Sequence, residues 1–87
     1  MSARAVAVGR VQGVFYRDTV RRAAVEHDVA GAAINRDDGT VSIVLEGERV
    51  GVEAVLAVAR EGSSSALVES LEIEWTEPAG LTSFMVR

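Results

Sequence analysis

The apolar residues of this 87-residue chain change their spacing several times, and those changes of period restrict the fold more than any other feature. Period two fits a strand, whereas recurrence at i, i+3, i+4 and i+7 fits one face of a helix. Ala5 to Val8 is an apolar run ending at Gly9, read as a first strand that is apolar on both faces and so interior to a sheet. From Tyr16 the period lengthens: Val20, Ala23, Ala24 and His27 share a face while Arg21, Arg22 and Glu26 turn outward, to about Asp28. Residues 32–36 and 40–47 read as a hairpin about Asp37-Asp38-Gly39, with Val41, Ile43 and Leu45 on one face of its second strand. Helical spacing returns over Glu48 to Glu61, where Val52, Val55, Leu56 and Ala59 form a stripe and Gly62 a C-cap. Gly51, in the first turn, has no role legible in the sequence. Leu67, Glu69, Leu71, Ile73 and Trp75 then alternate with Val68, Ser70, Glu72 and Glu74; Pro78 interrupts, and residues 83–86 make a short last strand.

That order predicts an α+β, ferredoxin-like two-layer sandwich, βαββαβ plus a short fifth strand, with both helices on one face of an antiparallel sheet. At this length one domain spanning residues 1–87 is expected. No disulfide is possible without cysteine, and no signal peptide or membrane span is read at the N-terminus, so the expected location is the cytoplasm. The formal charge of −4 argues against a general nucleic-acid binder, which needs clustered positive charge. Its distribution is uneven. Residues 1–36 carry six arginines against three acids, a net +3, whereas residues 37–87 carry three arginines against ten acids, a net −7. Positive potential therefore gathers in the first 36 residues, as a small anionic substrate requires.

Within that stretch, Gly9-Arg-Val-Gln-Gly-Val-Phe-Tyr-Arg17 links the first strand to the first helix. A helix N-terminus has backbone N–H groups without intrahelical acceptors, and the helix dipole adds partial positive charge there. Glycines 9 and 13 permit backbone turns that bring successive N–H groups together, and Arg17 supplies a planar fork of donors matched to phosphate. Phe15 and Tyr16 are expected to anchor the loop in the core. Asn35, a poor strand former at the end of an apolar run, reads locally as a turn cap. His27 is the only histidine and has no ligand set around it, so no metal site is read.

The segment from Gly9 to Arg17 resembles the signature of the acylphosphatase family, and Gly31-Ala-Ala-Ile-Asn35 followed by Asp38-Gly39-Thr40-Val41 resembles that family's second signature. The resemblance implies a core strand order of 4-1-3-2 and hydrolysis of acyl phosphates without metal or organic cofactor. It implies that the backbone amides of Val11, Gln12, Gly13, Val14, Phe15 and Tyr16, with Arg17, hold the phosphoryl group. It implies too that Asn35 positions the attacking water. The expected partner is a small acyl phosphate, with no nucleic acid or membrane, and the chain is expected to act as a monomer. Two other readings share the fold. An RNA-recognition domain needs aromatic residues on its central strands, and Ala5 to Val8 and Val41 to Leu45 have none. A non-catalytic module that binds phosphate, a small anion or a protein is the other.

Overall fold

The computed structural model describes all 87 residues, Met1 to Arg87. Its elements follow the order β1 (Ser2–Arg10), α1 (Tyr16–Glu26), β2 (Ala30–Asn35), β3 (Val41–Glu46), α2 (Arg49–Glu61), β4 (Leu67–Thr76) and β5 (Phe84–Val86). The five strands form one sheet in the order β4-β1-β3-β2-β5. Neighbouring strands among the first four are antiparallel; β5 runs parallel to β2 and makes the sheet mixed. Ala3, Ala5 and Ala7 of β1 and Val41, Ile43 and Leu45 of β3 are buried, while Arg4 and Val6 between them are exposed. One face of the sheet is therefore covered by the two helices and the other is open. β1 is interior, as expected, yet apolar burial is confined to one of its faces.

Each helix buries one stripe. In α1 it is Tyr16, Val20, Ala23 and Ala24; in α2 it is Gly51, Val52, Val55, Leu56 and Ala59. These meet the strand residues in a single core cluster of 19 buried residues, so the sandwich has one interior. Full burial of side chains such as Ile43 and Leu45 contributes about 1.5–3 kcal/mol each. His27 lies at the end of α1 but outside its buried stripe: it is exposed at the C-cap, because Asp28 turns left-handed at φ 54° and Val29 N–H closes back on the Ala24 carbonyl at 2.8 Å.

The strict alternation expected for β4 is also broken. Gly9 pairs with Val68 while Val8 pairs with Ser70, so β4 carries one extra residue at this point. A bulge reverses which residues face inward. Val68 packs against the core and Leu67 is 63 % exposed. Gly9 makes the bulge possible: at φ 130°, a Cβ there would lie 2.2 Å from the Leu67 carbonyl oxygen.

Candidate functional site

The loop between β1 and α1 is held by alternate side chains. Val11, Val14 and Tyr16 are buried, whereas Gln12 is half-buried and Gly13 and Phe15 are exposed. Phe15 therefore departs from its expected role as a core anchor, at 79 % exposure. The reason lies in the backbone: Phe15 is the N-cap of α1 in the left-handed region, φ 61° and ψ 19°, which turns its side chain away from the sandwich. Gly13, two residues earlier, has φ 71°. Non-glycine residues seldom hold this conformation unless neighbours enforce it. Here Thr19 donates to the Phe15 carbonyl from both N–H and Oγ1, at 3.0 and 2.9 Å, and Ser63 Oγ donates to the Val14 carbonyl. Tyr16 anchors the other side, its hydroxyl donating to the Ala59 carbonyl at 2.7 Å.

While the Val14 and Phe15 carbonyls are engaged, the loop's donors are not. No backbone N–H from Val11 to Tyr16 donates a hydrogen bond within the chain. A run of unpaired amides at a helix N-terminus is suited to an anion. Arg17, in the first turn of α1, is half-buried and forms no ion pair. Its acidic neighbour Asp18 is occupied elsewhere: Oδ1 takes Arg21 at 2.8 Å and Oδ2 takes Arg22 at 2.9 Å. The hydrogen bond from Arg21, with Arg22 beside it, holds the Asp18 carboxyl below the usual carboxylate range. Two arginines thus offset the one acid in the first turn.

Val11, Gly13, Phe15, Tyr16, Arg17 and Asp18, together with Val86 of β5, line a concavity of about 300 Å³. Arg17 and the loop are thereby brought to one surface. Asn35 does not line it and lies on the adjoining segment. It is the last residue of β2, paired with Val41, which in turn pairs with Ala7 of β1. Asn35 is therefore level with the end of β1 from which the loop departs. Ala33, two residues earlier on the same face, is fully buried, so the Asn35 side chain leaves the sheet on the helix side. Its Oδ1 is buried and has no hydrogen-bond partner. Its N–H donates to the Arg87 carbonyl at 2.8 Å, which ties it to the strand that supplies Val86.

Three supporting groups have no trace in the residue spacing. Ser63 sits in a polar loop that reads only as a connection, and Val86 joins the site only because β5 pairs with β2. Gln12 was legible as a loop residue, but its side chain also crosses to the β2–β3 hairpin. Its Nε2 donates to the Arg36 and Thr40 carbonyls at 2.7 and 2.9 Å.

Comparison with known proteins agrees with this geometry. The acylphosphatase family model matches residues 3–86. The chain is 46 % identical over 79 residues to an acylphosphatase of Haloarcula marismortui, covering 91 % of this chain and 87 % of that one. It is 42 % identical over 82 residues to an acylphosphatase of Thermus thermophilus, covering 94 % and 93 % respectively. The crystal structure of acylphosphatase from Bacillus subtilis superposes with a TM-score of 0.94 at 30 % identity, covering 99 % of this chain and 97 % of that one. No helix is long and apolar enough to cross a membrane. With its ferredoxin-like sandwich, its loop of unpaired amides and its match over nearly every residue, this chain belongs to the acylphosphatase family and is a hydrolase of acyl phosphates.

Proposed function

We propose that the chain hydrolyses the carboxyl–phosphate bond by in-line attack of a water positioned by Asn35, with the phosphoryl group held by Arg17 and the amides of Val11 to Tyr16. The observation that supports this is complementary unmet hydrogen-bonding capacity. The loop offers donors without acceptors, and Asn35 offers a buried acceptor without a donor. A phosphoryl group is rich in acceptors and a water carries two donors, so substrate and nucleophile together satisfy both.

The chemistry asks little more of the protein. Water oxygen forms a bond to phosphorus as the bond from phosphorus to the acyl oxygen breaks, and that electron pair leaves on the carboxylate. Both protons of the water finish on the phosphate, giving dihydrogen phosphate without a covalent intermediate. Asn35 Oδ1 accepts a hydrogen bond from the water and orients its lone pair toward phosphorus; it takes no proton. Arg17 and the amides meet charge on the equatorial oxygens, where preorganised donors act most strongly. The pH profile should be broad, since the proposed step asks no protein group to give or take a proton. We propose further that the chain works as one domain and as a monomer in the cytoplasm, without nucleic acid or resident cofactor.

The test is hydrolysis of acetyl and benzoyl phosphate by the purified protein. Asn35→Ala should lower kcat by about 10²–10³, the usual cost of losing one preorganised group in the transition state, and leave inhibition by inorganic phosphate nearly intact. Arg17→Gln should weaken phosphate binding and turnover together, because its charge meets the phosphoryl group before and during reaction. Full turnover by Asn35→Ala would remove that residue from the mechanism.

A further inference from the structure

The Asn35 side chain has no partner of its own, so its aim depends on the backbone that carries it. That backbone sits at the neck of the β2–β3 hairpin, where Arg36 N–H donates to the Thr40 carbonyl at 2.9 Å and Gly39 N–H donates to the Arg36 carbonyl at 3.1 Å. Each of these two carbonyls has a second lone pair. Gln12 fills both: its single amide nitrogen spends one hydrogen on Arg36 and the other on Thr40. A residue in the middle of the loop is thereby bonded to the residue that follows Asn35 and to Thr40, the residue that leads into β3.

The hairpin does not need these bonds to turn. Asp38 Oδ1 already accepts from Thr40 N–H at 3.0 Å and from Thr40 Oγ1 at 2.6 Å, and Gly39 occupies φ 90°. Nor does the loop need Gln12 to stay in place, since Val11, Val14 and Tyr16 bury beneath it. The bridge spans 24 and 28 residues of sequence and joins two segments that are otherwise separately anchored. Its distinctive effect is on the separation between them.

We propose that the Gln12 side chain is a positioning group that fixes the distance and angle between the phosphoryl cradle and Asn35, acting on hydrolysis through Asn35, while only the backbone N–H of Gln12 faces substrate. This rests on the role given to Asn35 above. Misplacing a nucleophile by about 1 Å costs on the order of 100-fold in rate even when the ground-state site is intact. Loss of the bridge should therefore appear in kcat far more than in binding of phosphate.

The experiment is a double-mutant cycle with Gln12→Met, which keeps the length of the side chain and removes both donors, and Asn35→Ala. Gln12→Met alone should lower kcat for benzoyl phosphate by about 10- to 100-fold and change inhibition by inorganic phosphate by less than about threefold. In the Asn35→Ala background the same substitution should change kcat by less than about twofold, because the group it aims is gone. Equal losses in both backgrounds would overturn the proposal, as would a parallel loss of phosphate binding. If Gln12→Met melts below the assay temperature, Gln12→Leu replaces it, since a neutral side chain also lacks the donors and adds no charge to the loop. Full turnover by Asn35→Ala alone would overturn the mechanism and this proposal together; additivity with an inactive Asn35→Ala overturns the Gln12 role only.

Discussion

Tyr16 joins the functional loop to the far helix through one buried bond, its hydroxyl to the Ala59 carbonyl at 2.7 Å, with the ring 1 % exposed. Burial pushes that hydroxyl up to about 12, because tyrosinate cannot be solvated there. Tyr16→Phe should cost about 0.5–1.5 kcal/mol, read as a lower melting temperature by roughly 4–8 °C per kcal/mol. Tyr16 is the only tyrosine, so an absorbance titration reports it alone and should show no tyrosinate below about pH 11 while the protein is folded. A raised pKa favours the neutral form in the folded state. Stability is therefore lost as pH rises above 10, the value expected once the chain unfolds. At this scale the sequence was informative where the property is local: Arg17 falls in the first turn of α1, and Gly9 and Gly13 sit where the backbone takes positive φ. It was silent where a side chain reaches a distant carbonyl: nothing in the spacing of Gln12, Ser63 or Tyr16 names Thr40, Val14 or Ala59. Phe15 misled for a different reason, since an aromatic beside a core anchor gives no sign of a left-handed backbone.

Helix α2 starts against the end of α1, and Gly51 marks the place. A Cβ on Gly51 would come 2.9 Å from the His27 carbonyl oxygen and 3.2 Å from Val29 Cγ2. This accounts for a glycine that helix propensity alone disfavours. In an exposed helix, glycine to alanine gains up to about 1 kcal/mol. Here backbone must move, and overpacking costs about 1–3 kcal/mol, so Gly51→Ala should be net destabilising. A chemical denaturation curve showing a raised midpoint for Gly51→Ala would contradict the close approach. Element type and order were legible because apolar period decides them. The phase of β4 was not, because the Val8/Gly9 bulge depends on pairing between segments about 60 residues apart. The parallel pairing of β5 was hidden for the same reason: three residues carry too little pattern to choose a neighbour or a direction.

Across the whole molecule, one carboxylate holds the long connection between β4 and β5. Glu46, the last residue of β3, accepts from the N–H groups of Ala79, Gly80 and Leu81 at 3.0, 2.6 and 3.1 Å. The Ala79 bond first, with those of Gly80 and Leu81, holds its pKa below the usual 4.5. A depressed carboxylate stabilises the fold above its unfolded value and loses that contribution as pH falls through the folded one. Glu46→Gln should therefore melt below the parent by a constant margin above about pH 5.5, and the two should converge as pH drops below 4.5. A margin that persists unchanged into acid would mean the carboxylate is not the fastening.

That fastening leads directly into β5, whose Val86 walls the concavity beside the loop and whose neighbour Arg87 accepts from the Asn35 backbone N–H. During synthesis, residues 11 to 17 emerge some seventy positions before this wall. Between those two points a nascent chain holds the loop without its enclosure. The concavity is complete only once β5 has paired with β2.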